Sequence, residues 1–201
     1  LSNNSHQYFE AYVGIPAGGM VIVPLNTRHA LPELMYALED SGAKILLTDR
    51  EDIGPLRGIV DHVIALNGDY EKALANAPQA PLGEDVDEDD LAGLFYTGGT
   101  TGASKGVMLT QRNLIANAFN WLAAVAQSPS DRSLVMAPMF HAAGSNGILA
   151  AIWQGSCQVA LGTFDPKMVL QLIEKHKINI TLGVPSMLAA IAEEQHVNPK
   201  D

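Results

Sequence analysis

The chain has 201 residues, 47% of them hydrophobic, which is enough to bury one large domain or one and a half small ones. Its 22 acidic residues outnumber its 12 basic ones, and the resulting net charge of -10, with no basic stripe, argues against nucleic acid and anionic membranes as partners. No apolar run approaches the roughly 18 residues of a membrane helix, and no signal peptide is visible. The single cysteine, Cys157, excludes an intrachain disulfide.

Short apolar stretches alternate with helix-like stretches along the first part of the chain. The pattern predicts helices over 8–17 and 31–40 and strands over 20–24, 44–48 and 62–66. Strand–helix alternation of this kind is typical of a parallel sheet with right-handed crossovers.

A segment rich in proline and acidic residues, 76–90, interrupts this alternation. Its carboxylates are Glu84, Asp85, Asp87, Glu88, Asp89 and Asp90. Consecutive carboxylates repel one another and rarely converge on one ion, so the segment is interpreted as a solvated linker and not as a metal site. The chain is therefore divided into a partial first α/β subdomain (1–78), an acidic linker (79–90) and a second α/β subdomain (91–201).

The alternation resumes after the linker. Strands are predicted over 91–97, 107–110, 133–137, 156–161 and 178–182, and helices over 113–127, 142–154, 165–176 and 185–195. The predicted fold class is α/β, with layered, parallel-rich sheets flanked by helices. Cys157 falls in one of these strands and is predicted to be buried and inert. His6, His29, His62, His176 and His196 lack metal-ligand spacing and are interpreted as surface or structural residues.

The stretch 96–106, YTGGTTGASKG, follows an apolar strand and carries the clearest chemical signal. Its glycines permit a tight turn whose backbone N–H groups can bind an anion. Threonine hydroxyls add donors and Lys105 adds a mobile positive charge, a combination that suits a polyphosphate. The order Ser-Lys-Gly is not that of a Walker A loop, and the glycine spacing is not that of a dinucleotide fingerprint. On spacing alone, a flexible Gly/Thr hairpin remains an alternative.

This stretch resembles the signature phosphate loop of the AMP-binding (adenylate-forming) superfamily, which contains acyl-CoA synthetases and nonribosomal-peptide adenylation domains. Pro138-Met139-Phe140-His141 resembles the family's next motif, and the short runs at 24–26 and 183–186 are typical of its acyl-CoA ligases. Two residues depart from the family pattern. Ser104 replaces the proline before the loop lysine, which predicts a less rigid loop, and Gln111 replaces a histidine.

The resemblance implies roles for particular residues. It assigns the β- and γ-phosphates of ATP to Thr97, Gly98, Gly99, Thr100, Thr101, Gly102 and Lys105. Mg²⁺ is expected to bridge phosphate oxygens and to touch Thr101. His141 is the expected catalytic residue, as a gate beside the substrate carboxylate. The apolar residues Met139, Ile148, Leu149 and Trp153 are interpreted either as an acyl tunnel or as ordinary core packing.

The implied activity is ATP-dependent conversion of a carboxylic acid, with a fatty acid favoured, into an acyl-adenylate and then a CoA thioester. Two alternatives stay open: amino-acid adenylation in a nonribosomal peptide synthetase, and a nucleotide-binding fragment without catalysis. Family segments expected later, including a lid domain, are not in these residues, so the chain is expected to be the N-terminal part of a longer enzyme and inactive alone. The expected location is cytoplasmic, at the membrane periphery if the substrate is a lipid.

Overall fold

The helix-forming stretches of the chain carry identifiable end signals. The computed structural model describes residues 1–81, 85–98 and 103–199. In the helix Leu31–Ser41, the carboxylate of Glu33 accepts a hydrogen bond from the N–H of Ala30, and Gly42 adopts the left-handed conformation (φ 63°) that ends the helix. In Pro166–His176, the side chain of Asp165 caps the N–H of Met168 at 2.9 Å.

The chain forms two compact units. Unit 1 contains Leu1–Ser2 and Gln7–Leu114, and unit 2 contains Asn3–His6 and Ile115–Asp201. Both units are therefore discontinuous in sequence.

Unit 1 contains most of the first half of the chain. Its elements in chain order are α1 (His6–Ala17), α2 (Leu31–Ser41), β1 (Ile45–Thr48), the 3-10 helix Gly54–Gly58, β2 (His62–Ala65), α3 (Asp69–Asn76), β3 (Leu91–Thr97), β4 (Lys105–Thr110) and the start of α4 (Gln111–Ala124). Strands β1 and β2 are parallel, whereas β3 and β4 form an antiparallel pair. The core lies where α2 packs its buried face, including Leu34 and Leu38, with Leu46 and Leu56.

Unit 2 is built around a three-stranded parallel sheet. Its further elements are β5 (Arg132–Val135), α5 (Ala142–Ser145), α6 (Ile148–Gln154), β6 (Cys157–Ala160), α7 (Pro166–His176), β7 (Ile180–Thr181) and α8 (Pro185–Val197). The strand order is β6-β5-β7. Leu134, Met136, Leu161 and Val169 form a buried cluster in this unit.

Asp131 and Asn179 join the amino ends of the three strands in unit 2 through side-chain and backbone hydrogen bonds. The amide of Asn179 donates to Oδ1 of Asp131 at 2.6 Å, and its oxygen accepts from the N–H of Arg132. The carbonyl oxygen of Asp131 accepts from the N–H of Cys157 at the start of β6. The opposite, carboxyl ends of the strands are the edge at which ligands bind in open α/β sheets.

The structure corrects several of the element predictions. The stretch 20–24 is not a strand: only Ile22 forms a parallel bridge, with Gly93, while Met20 and Val21 are exposed. The predicted helix 142–154 is two helices, α5 and α6, separated at Asn146 and Gly147. Helix α3 was not predicted, because none of its residues is buried and the predictions rested on apolar faces.

The prediction that Cys157 is buried is wrong. Its side chain is exposed, because Cys157 is the first residue of β6, the strand at one edge of its sheet.

The carboxylates of the acidic segment are exposed where the structure describes them, and the segment contacts the first turn of α4. The guanidinium of Arg112 pairs with Glu88 and with Asp89, and the backbone N–H of Arg112 donates to the carbonyl of Glu88. Within the described ranges, every helix is too short or too polar to cross a lipid bilayer.

Candidate functional site

The predicted phosphate loop connects the two strands of the β3–β4 hairpin. Thr97, the last residue of β3, lies opposite Lys105, the first residue of β4. The hydroxyl of Ser104 donates to the carbonyl oxygen of Thr97 at 2.6 Å, and the hydroxyl of Thr97 donates to the carbonyl oxygen of Lys105 at 3.5 Å. The two sides of the loop are thus linked across its base.

Three of the seven predicted phosphate-binding residues belong to the described part of the chain. Thr97, Gly98 and Lys105 are all exposed. None of the salt bridges between described residues uses Lys105, so its charge is not engaged by those carboxylates. The other four predicted residues, Gly99, Thr100, Thr101 and Gly102, lie outside the described residues.

An aromatic residue holds the stem of this hairpin in unit 1. The ring of Tyr96 covers Gly106, where an added Cβ would lie 3.2 Å from the tyrosine Cζ. The ring also meets Tyr36 edge-on, with ring centroids 6.4 Å apart. Burial, and then the hydrogen bond from the tyrosine hydroxyl to Asp40, raise the pKa of Tyr96 above its usual value. Tyr96 therefore remains a neutral hydrogen-bond donor throughout the physiological pH range.

In unit 2, the segment that leads from β5 to His141 is fixed by Asn4. The Asn4 amide donates to the carbonyl oxygens of Ala137 (2.9 Å) and Val135 (3.3 Å), and its oxygen accepts from the N–H of Met139 at 2.8 Å. Only 8% of Asn4 is exposed. No sequence signal indicates this role, since Asn4 lies in no recognisable motif and contacts residues more than 130 positions away.

His141 lies immediately before α5 and caps it. Its backbone is extended (φ -108°, ψ 147°), and its Nδ1 accepts from the N–H of Ala143 at 3.2 Å. Because Nδ1 is an acceptor, the neutral imidazole carries its proton on Nε2, which is then free to donate to an anionic oxygen. The side chain is exposed, so a ligand can reach this donor.

The turn before α5 admits no side chain at Gly144. A Cβ added there would lie 2.1 Å from the carbonyl oxygen of Pro138 and 2.6 Å from that of Ala137. The N–H of His141 also donates to the Pro138 carbonyl, at 3.1 Å. The absence of a side chain at Gly144 therefore allows the tight turn that places His141.

The four apolar residues predicted to line a tunnel differ in their environments. Met139 and Ile148 are fully buried (0% exposed), whereas Trp153 is 63% exposed and packs edge-on against Phe119. Unit 2 also contains a cavity of about 40 Å³, bordered by Ile148. That volume accommodates only a few water molecules. The choice between tunnel and core for these residues stays a prediction.

A metal site within the described ranges would need several ligands around one point. No group of three or more His, Cys, Asp or Glu side chains is placed there to hold a metal ion. The predicted Mg²⁺ contact, Thr101, lies outside those ranges.

Comparison with known proteins gives matches along the whole chain. The AMP-binding family, described as AMP-binding enzyme, matches residues 1–201. The chain is 35% identical over 195 residues to a feruloyl-CoA synthase of an Amycolatopsis species, and 30% identical over 197 residues to the long-chain-fatty-acid–CoA ligase FadD13 of Mycobacterium tuberculosis. These alignments cover 96% and 94% of the chain, but 39% of the length of each relative.

Solved structures indicate the same family. The structure matches the crystal structure of the N-terminal domain of FACL13 from Mycobacterium tuberculosis with a TM-score of 0.86 and 26% sequence identity. The match covers 100% of this chain and 52% of that one. The predicted α/β fold of an adenylate-forming N-terminal domain is thereby confirmed as a partial domain.

Proposed function

The chain belongs to the AMP-binding enzyme family, and we propose that it forms part of a ligase that activates a carboxylic acid with ATP and transfers the acyl group to CoA. The proposal concerns the whole protein, since the chain spans 39% of the length of the curated relatives.

One structural observation carries the proposal: the hairpin that places Lys105 directly opposite Thr97 at the base of a Gly/Thr-rich loop. An exposed ammonium beside hydroxyl and backbone donors is suited to the high negative charge of a polyphosphate. Lys105 is exposed, and the described salt bridges leave it unpaired. Its proposed role is to neutralise the pyrophosphate end of ATP.

The proposed reaction has two steps. A carboxylate oxygen attacks the α-phosphorus of ATP, forming the acyl–phosphate bond as the bond to the β-phosphate oxygen breaks and pyrophosphate leaves. The thiolate of CoA then attacks the acyl carbon, forming the thioester as AMP leaves. The loop residues Thr97, Gly98, Gly99, Thr100, Thr101, Gly102 and Lys105 are proposed to stabilise the leaving pyrophosphate electrostatically. Mg²⁺ bound to the phosphates would supply further charge neutralisation there.

His141 is proposed to act on the carboxylate side. With Nδ1 engaged by Ala143, its Nε2–H can donate a hydrogen bond to a carboxylate oxygen and orient it for attack. The Asn4 bonds and the tight turn at Gly144 hold the backbone that carries this imidazole.

A fatty acid is the substrate we propose first, and one relative is a long-chain-fatty-acid–CoA ligase. An aryl-propenoic acid is the second candidate, because the other relative is a feruloyl-CoA synthase at 35% identity. We further propose that residues 1–201 alone do not complete the reaction and that the parent enzyme works in the cytoplasm, near membranes if its acid is a lipid.

The test is ATP–pyrophosphate exchange by the full-length protein with Mg²⁺ and a panel of fatty, aryl-propenoic and amino acids. Exchange that depends on a fatty or an aryl acid, followed by CoA thioester formation, is the expected result. Exchange with amino acids alone would instead identify an amino-acid adenylation enzyme. The absence of exchange with every acid tested, in a folded protein, would contradict the proposal.

A further inference from the structure

We propose that Ser104 is a positioning residue that orients the Thr97–Gly98 peptide for phosphate binding. The inference rests on the proposed function, since it concerns the same loop. It assigns a role to Ser104, one of the two residues at which the chain departs from the family pattern.

The observation behind the inference is the 2.6 Å hydrogen bond from the Ser104 hydroxyl to the carbonyl oxygen of Thr97. The carbonyl of Thr97 and the N–H of Gly98 belong to one peptide group. That group is planar and trans, so the two point in opposite directions. A hydrogen bond that fixes the carbonyl toward Ser104 therefore fixes the Gly98 N–H on the side facing away from Ser104.

This orientation matters because a phosphate is attracted by N–H groups and repelled by carbonyl oxygens. Gly98 has no side chain to restrict its backbone, and an added Cβ would meet nothing within 4 Å. Rotation of this peptide would present its oxygen to the anion. The hydrogen bond from the Ser104 hydroxyl opposes that rotation, and it adds to the restraint given by the pairing of Thr97 with Lys105.

The surrounding stem makes this hydrogen bond effective. Tyr96 lies opposite Gly106 and Thr97 lies opposite Lys105, so the residues on both sides of the Ser104–Thr97 bond are held in a strand ladder. Tyr96 is in turn bonded to Asp40. The backbone around Ser104 and Thr97 is therefore held in place by the strand pairing and by the Tyr96–Asp40 bond.

The proline expected before Lys105 would restrict the chain through its ring but could not donate a hydrogen bond. Its absence predicts a less rigid loop. The Ser104 hydroxyl provides a restraint of a different kind, directed at one carbonyl group.

The experiment measures binding of MgATP, and of Mg²⁺ with inorganic pyrophosphate, to the full-length protein by titration calorimetry. Ser104→Ala removes the donor, Ser104→Thr keeps it, and Lys105→Ala removes the charge. Ser130→Ala is the matched control, because Ser130 is an exposed serine in unit 2 that is hydrogen-bonded to Ser128. Thermal unfolding of each variant verifies its fold.

Because Ser104→Ala loses one hydrogen bond, we expect it to weaken the binding of both ligands by about threefold to tenfold. Ser104→Thr and Ser130→Ala are expected to stay within about twofold of the wild type, because both variants keep a hydroxyl donor at position 104.

Two results would overturn the inference, and they differ in what else they overturn. If Ser104→Ala binds as the wild type does while Lys105→Ala loses affinity, the role of Ser104 is refuted and the proposed function stands. If the folded wild-type protein binds neither ligand, both the inference and the proposed function fall. Weakened binding by Ser104→Thr equal to that of Ser104→Ala would also count against the hydroxyl.

Discussion

The hydroxyl of Tyr96 donates a 2.7 Å hydrogen bond to Oδ2 of Asp40, and this bond joins the end of helix α2 to the strand that enters the candidate phosphate loop. The two residues are 56 positions apart in the chain. The bond therefore fixes the base of the loop relative to helix α2, which packs in the core of unit 1.

Tyr96→Phe removes this bond and keeps the ring over Gly106. We expect a loss of roughly 0.5 kcal/mol in the free energy of unfolding, since the bond is partly exposed to water. Urea unfolding measures this loss, and Tyr36→Phe is the control, because it removes a hydroxyl from the neighbouring tyrosine and keeps its ring. A loss equal to that of the control would contradict a specific role for the Asp40 bond.

Asn4→Ala is expected to destabilise the protein by about 3 kcal/mol, because it leaves the buried N–H of Met139 and carbonyl of Ala137 without their partner. Urea unfolding measures the change. Asn198→Ala, at an exposed asparagine bonded to Glu194, serves as the control and should alter stability little. Equal, small effects of both substitutions would show that Asn4 does not secure this segment.

Gly144→Ala is expected to lower stability by more than about 2 kcal/mol, because the new Cβ would overlap the backbone of Pro138. Gly14→Ala in α1 is the matched control. An added Cβ there meets nothing within 4 Å, and alanine favours a helix over glycine by roughly 0.8 kcal/mol. Thermal unfolding should therefore shift in opposite directions for the two variants, and a shift in the same direction would refute the close approach at Gly144.

Asp131 gives a stability contribution that depends on pH. The backbone N–H of Ser128, and then the side chain of Asn179, donate to its carboxylate and lower its pKa in the folded state. A carboxyl group whose pKa is lower in the folded state stabilises the protein at pH values above its unfolded pKa of about 3.9. This stabilisation is lost as the pH falls through the pKa of the folded state.

The difference in unfolding free energy between the wild type and Asp131→Asn should thus be largest near neutral pH and should shrink in acid. Urea unfolding over a range of pH tests this. Asp61→Asn, which makes the same substitution at an exposed aspartate 3.9 Å from Lys44, is the matched control. If the difference in unfolding free energy between the wild type and Asp131→Asn grew in acid, the predicted direction of the pH dependence would be wrong.

Lys105→Ala in the full-length protein should weaken binding of pyrophosphate and ATP and slow adenylation by at least about tenfold, while the fold is retained. ATP–pyrophosphate exchange and circular dichroism measure the two effects. Lys72→Ala removes an exposed lysine paired with Asp69 and should leave exchange unchanged. Unchanged affinity for ATP and an unchanged rate in Lys105→Ala would refute the assigned role.

Local patterns in the sequence predicted many elements of the fold. The helices around Leu34 and Val169 have apolar spacing and end signals that depend only on neighbouring residues, and both helices are present. The prediction of a strand over 20–24 was wrong, because apolar composition alone does not provide a strand partner. Only Ile22 has one. The prediction that Cys157 is buried was wrong, because the burial of a strand residue depends on the position of its strand within the sheet.

The candidate site shows the same division. The loop motif identified Lys105 and the short motif identified His141, since both lie in contiguous runs. Asn4 binds the backbone of Met139, 135 positions away, and Asp40 binds the hydroxyl of Tyr96, 56 positions away. One sequence contains no local signal for contacts at that separation. The assignments of the loop residues and of His141 stay predictions.

The discontinuity of the two units has a consequence for recombination between relatives. Residues 3–6 belong with 115–201, so exchanging only the second half of the chain for that of another protein would pair a foreign Pro138–His141 segment with the resident Asn4. Chimeras divided at a single point near residue 114 would then inherit mismatched partners. A two-point exchange that carries residues 3–6 along would keep residue 4 of each protein with the backbone segment of the same protein.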